Sequence, residues 1–290
     1  MHKLSMLLMN SPAKTIENTH FGNIMLACES NSGSPSIRSD LRVGGWSENR
    51  GAYQVRFAQS DQDRRDVQAL RYAVFAEELG ARVEGADRGL DIDPLDELAD
   101  HLMVVECESG ECVGSYRLAT REQVQHAEGF YTQRIFDLSR LDESILDEGV
   151  ELGRACVGLQ HRTRGVLQLL LRGIGAYLIA RQKRFLFGCG SVGLKDLGEA
   201  RSVICQIDRE GWLDATLDVK PTEAYTPSLP EAASGGVPEI PALLYAYSSI
   251  GARLAASPAY DPDFKTLDFF VLLDLEHVEP RTYARYCGSR

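Results

Sequence analysis

The sequence lacks long apolar runs and an excess of positive charge. Its 290 residues contain 31 Lys and Arg against 42 Asp and Glu, so the formal net charge is −11. Nonspecific nucleic-acid binding depends on clustered positive charge, and the acidic balance therefore predicts no nucleic-acid partner. The longest apolar stretches, such as 269–273, are far shorter than the ~20 residues of a membrane-spanning helix. The sequence thus predicts a protein without a transmembrane span and leaves peripheral membrane contact open.

The sequence also lacks the cysteine patterns of disulfide frameworks and zinc sites. It has seven cysteines, an odd number, and no CxxC pair, so reduced thiols are the simplest interpretation. The N-terminus has no apolar segment long enough for a secretory signal. The acidic residues between 91 and 100 do not match a calcium-binding loop, and no other cluster has the spacing of metal ligands. We expect a metal-free cytoplasmic protein, in contact with the inner membrane face at most.

The chain divides into a leader and one domain. Residues 1–50 are rich in Ser, Asn and Gly without a sustained period, so we expect a flexible leader, followed by a domain over 51–290. Hydrophobic residues make up 44% of the chain, enough for a full core. The order of the elements predicts a mixed α/β sheet covered by helices. The expected strands are 53–57, 101–106, 113–118, 148–157, 185–189 and 269–275, and the expected helices are 61–79, 167–183, 242–254 and 280–286.

Residues 151–165 have the pattern of a strand that leads through a turn into a helix, and the turn carries Arg162, Arg164 and Gly165. Free N–H groups and the helix dipole attract phosphate at a helix start, and arginines add charge-assisted hydrogen bonds. An anion site and a surface turn with solvated arginines fit this spacing about equally. Charge favours the anion site, because residues 151–185 carry seven basic side chains and one acid, whereas residues 77–111 carry twelve acids and two arginines.

Glu151 is the candidate acid–base residue because it begins a central strand. A partly buried carboxylate there can accept a proton from an amine, and an ion pair with Arg154 or Arg117 is the equally weighted alternative. No GxSxG elbow is present, which argues against a serine hydrolase. A cysteine nucleophile, Cys156 or Cys189, is less expected than a buried structural thiol.

Six segments in order carry a resemblance to a known family. They are Arg71–Gly80, Asp91–Leu102, Val113–Leu118, Glu151–Arg154, His161–Gly165 and Phe187–Ser191. Together they resemble the acyl-homoserine-lactone synthases and the ornithine N-acyltransferases. A later segment, Pro241–Leu244 with Pro258 and Ala259, resembles the ornithine N-acyltransferase branch. Gly190 stands where the related Gly-Cys-Ala-Ser pattern has alanine, a departure that alters the acyl-side wall.

The resemblance implies an α/β, GNAT-like fold, in which helices flank a mixed central sheet. It implies an enzyme that moves a (3-hydroxy)fatty acyl group from acyl carrier protein to the α-amine of L-ornithine, which gives lyso-ornithine lipid, the first intermediate of ornithine lipid. No bound cofactor is implied, since the phosphopantetheine thioester arrives as a substrate. The turn lacks the glycine pair of coenzyme-A-binding loops, because Val166 and Leu167 follow Gly165. That departure favours a carrier protein as the donor.

The same resemblance suggests roles for individual residues. Glu151 takes the proton of the attacking amine, directly or through a water, and Arg117 and Arg154 either hold the acceptor carboxylate or maintain the ion pairs of the site. The other assignments are Val157, Arg162, Arg164 and Gly165 for the phosphopantetheine, Asp93 and Asp96 for the δ-ammonium of ornithine, and Arg172, Arg181, Lys183 and Arg184 for carrier-protein docking.

Two other interpretations stay open at this point. The first keeps the fold and changes the acceptor, as in an acyl-homoserine-lactone synthase that uses S-adenosylmethionine or an N-acyltransferase for another amine. The second is a non-catalytic module that binds acyl carrier protein or lipid.

Overall fold

The computed structural model describes residues 45–229, 236 and 238–288, and most of its strands join one ten-stranded mixed sheet. The strand order is β1-β2-β3-β4-β6-β7-β12-β10-β8, with β11 on β12 and a separate β5–β9 pair. The strands are β1 Ser47–Arg50, β2 Tyr53–Phe57, β3 Asp100–Glu106, β4 Cys112–Thr120, β5 Phe136–Asp137, β6 Gly149–Val157, β7 Phe185–Gly193, β8 Leu213–Asp214, β9 Lys220–Pro221, β10 Arg253–Ala255, β11 Ala259–Asp261 and β12 Thr266–Asp274.

Helices cover both faces of this sheet. The α-helices are α1 Asp61–Tyr72, α2 Arg121–Val124, α3 Tyr131–Ile135, α4 Glu143–Asp147, α5 Arg164–Arg181, α6 Ala200–Arg209, α7 Ala242–Ser249 and α8 Pro280–Cys287. The main core cluster holds α5, α6, α7 and α8 against one face, called here the α5 face. Two smaller clusters hold α1, α3 and β11 against the other, the α3 face. The mixed α/β sheet predicted from the sequence is confirmed.

The first helix begins and ends as its sequence predicts. The Ser60 side chain accepts a hydrogen bond from the Asp63 backbone N–H, and the Asp63 side chain accepts one from the Ser60 backbone N–H, which satisfies free helix donors. After Tyr72 the helix continues as a π-helix, Ala73–Glu78, which the periodicity does not predict. It ends before Gly80, whose φ of 76° suits glycine. The π-helical turn carries Phe75, which lines the cavity described below.

The central feature of the sheet is a gap between β6 and β7. These parallel strands pair from Gly149 and Phe185 to Leu152 and Gly188, and the pairing then stops although both strands continue. The β4–β6 register shifts at the same level, where Arg154 has a φ of 49°. A non-glycine residue with this backbone marks a bulge and stored strain. The bulge directs β6 away from β7 and opens the sheet.

Several element boundaries differ from those expected. The sheet begins at Ser47, so the end of the predicted leader pairs with β2, whereas residues 1–44 lie outside the described residues. The sequence Gly188–Gly193 continues β7, and α7 stops at Ser249 because β10 follows. The amphipathic helix α6 was not expected. None of the described helices is long and apolar enough to cross a membrane.

Candidate functional site

A cavity of about 190 Å³ occupies the gap between β6 and β7. In antiparallel strands, directly opposed residues share a face and successive residues alternate. Val271 and Leu273 of β12 lie on the α5 face, whereas Asp268 and Phe270 lie on the α3 face. Val271 and Leu273 from the first face and Asp268 from the second all line the cavity. The cavity therefore passes through the sheet from one face to the other.

The two ends of the cavity differ in chemistry. The end on the α5 face is apolar, and its walls include Leu171, Ile174, Leu243, Leu244, Val271 and Leu273. The end on the α3 face is polar, and its walls include Arg117, Tyr131, Arg154, Ser191, Asp261 and Asp268. An apolar chain fits the first end and a small charged molecule fits the second.

Gly190 makes the apolar end compact. A Cβ at this position would lie 2.5 Å from Leu244 Cδ2 and 2.7 Å from Val271 Cγ2. Glycine therefore lets α7 pack directly on β7. The apolar wall formed by Leu244 and Val271 therefore lies close to the sheet at this position.

A network of buried ion pairs borders the polar end. The Arg71 guanidinium contacts Asp91 Oδ2 at 2.7 Å and Asp96 Oδ1 at 2.8 Å. Arg117 Nη1 lies 3.0 Å from Asp93 Oδ1 and 3.3 Å from Asp96 Oδ1. The network joins α1, the loop before β3, and β4.

Asp93 and Asp96 are therefore already occupied by arginines. Burial acts to raise the pKa of Asp93, but the charges of Arg117 and Arg154 outweigh it and lower that pKa. Burial likewise opposes the hydrogen bonds from Arg71 that hold the pKa of Asp96 well below its usual range. Neither carboxylate lines the cavity. In this geometry buried arginines take the place that was predicted for a substrate ammonium.

Arg154 and Arg117, predicted to hold the acceptor carboxylate, both line the cavity. Arg154 Nη2 donates to Asp93 Oδ2 at 2.9 Å, whereas its Nε lies 3.4 Å from Asp91 Oδ2 and has no hydrogen-bond partner among the described residues. Its guanidinium carbon lies 5.3 Å from the centre of the Tyr131 ring, within cation–π range. Arg154 thus brings a positive charge to the wall of the polar end, where Asp91 and Asp93 already contact its guanidinium.

Glu151 has a different environment from the one predicted. It is 2% exposed and lies on the α3 face opposite Phe187. Its Oε1 accepts from Thr132 N–H at 2.6 Å and its Oε2 from Tyr131 N–H at 3.1 Å. It makes no ion pair with Arg154 or Arg117 and does not line the cavity. Glu151 therefore fixes the first turn of α3, because both of its oxygens accept backbone N–H groups there.

The predicted phosphate turn divides into a buried and an exposed part. Arg162 forms a bidentate pair with Glu78, at 2.9 and 2.5 Å, and donates to Val157 O at 3.2 Å. Its guanidinium thus closes the turn internally and is not available to an anion. Arg164 is exposed at the first position of α5, and Gly165 follows it. Thr163 caps the helix by accepting from Val166 N–H.

The four cations predicted to dock a carrier protein are all paired. Arg172 contacts Glu48 at 2.5 Å and donates to Arg285 O at 2.7 Å. The other pairs are Arg181 with Asp100, Lys183 with Glu122, and Arg184 with Asp274 and Glu276. They therefore join elements of the fold and do not form the predicted free basic surface.

Thiol and metal chemistry find no support in the described part of the chain. The six cysteines there form no disulfide bond, and Cys28 lies outside it. Burial raises the pKa of the Cys156 thiol above its usual range, and that of Cys189 as well, which disfavours the nucleophilic thiolate. No group of three or more His, Cys, Asp or Glu among these residues has the arrangement of a metal site.

Two cavity residues escaped the sequence analysis. Asp261 and Asp268 are buried carboxylates on neighbouring strands β11 and β12. The available signal was an acid within the apolar segment Thr266–Asp274, because a charged residue inside such a strand is rare without a function or a partner.

The fold and the cavity define an acyltransferase of the GNAT class. A family profile described as acetyltransferase (GNAT) domain matches residues 70–172. The L-ornithine N(alpha)-acyltransferase of Rhizobium meliloti (strain 1021) is 31% identical over 256 residues, which cover 81% of this chain and 84% of that protein. That of Brucella abortus (strain 2308) is 30% identical over 259 residues, covering 82% and 90%. The chain belongs to the L-ornithine N(alpha)-acyltransferase family.

A solved structure also matches most of the chain. The AHL synthase LasI covers 82% of this chain and 95% of its own, with 13% identity and a TM-score of 0.46.

Proposed function

We propose that this protein transfers a (3-hydroxy)fatty acyl group from the thioester of an acyl carrier protein to the α-amine of L-ornithine, releasing lyso-ornithine lipid. The observation that carries the proposal is the cavity through the sheet, which joins an apolar chamber to a charged one. A fatty acyl chain requires the first and an amino acid requires the second. The names of the family's curated members point to the same acceptor.

The chemistry takes place where the two chambers meet. The neutral α-amine attacks the thioester carbon, an N–C bond forms, the C–S bond breaks, and the amine proton balances the departing thiolate. Beyond Leu152, β6 has no partner strand on the β7 side, and Gly153, Arg154 and Ala155 line the gap. Backbone donors at such a point stabilise a tetrahedral oxyanion. Arg154 and Arg117 hold the carboxylate of the amino acid.

The phosphopantetheine arm enters past Val157, with its phosphate at the start of α5. The first N–H groups of a helix have no intrahelical acceptor, and Arg164 and Gly165 provide both such donors and a cation. Arg162 shapes the turn through Glu78. Replacement of the exposed Arg164 by alanine should raise KM for the acyl donor about tenfold, the loss of one charge-assisted hydrogen bond. Arg88→Ala, also exposed, is the matched control.

Mass spectrometry of a defined reaction tests the function. Purified protein is incubated with 3-hydroxyacyl carrier protein, or with the matching acyl-coenzyme A, and an equimolar mixture of amino acids. N-acyl-ornithine formed from the carrier protein is the expected product. An N-acyl product of another amine would retain the reaction and reject the acceptor. Product from coenzyme A alone would reject the donor, and an intact thioester with the carrier bound would point to a binding module.

A further inference from the structure

We infer that Asp268, with Asp261 beside it, forms a subsite for a cationic side chain of the acceptor, at the polar end of the cavity. The inference rests on the proposed function, which it deepens by naming the group that recognises the acceptor's second amine. For ornithine this group is the δ-ammonium.

The sheet register brings the two carboxylates to the same wall. Asp268 lies opposite Ser191 of β7, and Asp261 lies opposite Thr266 of β12. Thr266 and Asp268 are two positions apart on one strand and therefore point to the same face. All four residues line the cavity. The two carboxylates thus form one acidic wall on the α3 face, next to Phe270.

Asp268 is buried without a countercharge. It is 4% exposed, and its Oδ1 has no hydrogen-bond partner within the described part of the chain. No ion pair there includes Asp268 or Asp261. Burial, together with the charge of Asp261, raises the pKa of Asp268 to about 6, although hydrogen bonds from Ser191 and Thr266 act to lower it. A buried carboxylate is costly unless a cation compensates it, and an ammonium group in the cavity supplies that cation.

The other buried acids of the site contrast with this one. Asp91, Asp93 and Asp96 each contact at least one arginine. Arginines balance these three acids, and Glu151 on the same face has both oxygens held by backbone N–H groups. Asp268 differs from all four, because it has no arginine partner and its Oδ1 has no hydrogen-bond partner among the described residues. We therefore assign the acids with internal partners to the fold and Asp268 to a ligand.

The charged groups on the cavity wall are also complementary to the charges of a dibasic amino acid. Tyr131 lines the cavity beside Arg154, whose guanidinium carbon lies 5.3 Å from the centre of the Tyr131 ring. Within the polar end, Arg154 attracts the carboxylate of the amino acid and Asp268 attracts its side-chain ammonium. Asp261 is held in place by N–H donors from Asp263 and Phe264, at 2.9 and 3.0 Å.

Titration calorimetry of the whole protein tests the subsite without relying on turnover. The ligands are L-ornithine, L-norvaline, which has the same carbon chain without the δ-amine, and Nδ-acetyl-L-ornithine, whose δ-nitrogen is neutral. We expect wild-type protein to bind ornithine about 30-fold or more tightly than either analogue, as befits one desolvated charge pair. Asp268→Asn should lose this preference and retain its affinity for norvaline. Asp263→Asn, an exposed acid of the adjacent turn, is the matched control and should change neither affinity.

The outcomes separate the inference from the proposed function. Equal wild-type affinities for ornithine and its two analogues would overturn the subsite, and so would a preference that survives in Asp268→Asn. The wild-type comparison decides the matter even where the Asn variant does not fold. Failure to form N-acyl-ornithine from any donor, with the binding preference present, would reject the proposed reaction alone.

Discussion

At the scale of single residues, the buried carboxylate of Glu151 affects the site through the backbone of Tyr131 and Thr132. Both of its oxygens accept backbone N–H bonds at the start of α3, and the residue they hold, Tyr131, lines the cavity. Glu151 is thus a positioning residue for the site. The sequence pattern identified its importance, but it could not show that its oxygens are occupied.

This assignment predicts a combined loss in Glu151→Gln. An amide has only one acceptor oxygen, so its NH₂ group must face one of the two N–H donors. We expect the free energy of unfolding to fall by about 1–3 kcal/mol, the cost of an unsatisfied buried group, together with a lower kcat. Chemical denaturation and steady-state kinetics measure the two effects, with the exposed Glu148→Gln as control. A loss of kcat with unchanged stability would instead restore Glu151 as the proton acceptor.

Replacement of Asp268 should raise the stability of the fold at neutral pH, whereas replacement of Glu151 should lower it. Its pKa is raised by burial to about 6, above the ordinary 3.8, so the folded state holds this proton more tightly than the unfolded state. Stability therefore falls as pH rises from about 4 to about 6, and the ionised group costs about 3 kcal/mol above that range. Asp268→Asn should unfold at a higher temperature than wild type at pH 7.5. The difference should vanish near pH 4, and a difference that persists there would contradict the cause.

At the scale of elements, the contact of β7 with α7 determines the shape of the apolar end. Gly190 permits this contact because any Cβ would meet Leu244 and Val271. The adjacent helix α5 presents Leu171 and Ile174 to the same chamber. The wall facing the acyl chain is thus built by three elements from distant parts of the chain.

Gly190→Ala should therefore alter acyl selection. The added methyl forces Leu244 to move into the chamber, at a cost in stability of about 1–3 kcal/mol from overpacking. We expect kcat/KM to fall more for long acyl donors than for short ones, measured with a chain-length series of acyl carrier proteins. Gly45→Ala, where a Cβ meets nothing within 4 Å, should behave as wild type. An equal loss at all chain lengths would show that position 190 does not limit the acyl chain.

At the scale of the whole molecule, acid–arginine pairs join elements from separate parts of the sequence. Arg71 of α1 holds the loop before β3, and Arg154 of β6 reaches the same loop through Asp93. Hydrogen bonds from Arg56 lower the pKa of Asp63 to about 2, and those from Arg184 do the same for Asp274. A lowered pKa means that the stabilisation is present above the ordinary pKa of 3.8 and is lost as pH falls towards the folded value.

The molecule should consequently unfold in acid, between about pH 4 and pH 2. Arg71→Met removes the partner of two buried carboxylates and should cost about 3–5 kcal/mol at neutral pH, with an acid transition at higher pH than in wild type. Circular dichroism during acid titration measures both midpoints. Arg88→Met, at an exposed site, should leave the transition in place, and an unchanged midpoint in Arg71→Met would show that the network is not what acid disrupts.

The class of sheet, its principal elements and the family could be predicted from the sequence, because they depend on local periodicity, capping and ordered motifs. The same reasoning identified Arg117 and Arg154, which the structure brings to the cavity wall. Which charged groups are free of internal partners could be seen in the folded structure alone. Asp93, Asp96 and Arg162 are occupied by partners 21 to 84 positions away in sequence, whereas Asp268 is buried without a countercharge among the described residues. Spacing along a chain predicts which residues share an element, but the partner of a charge is decided by packing between elements.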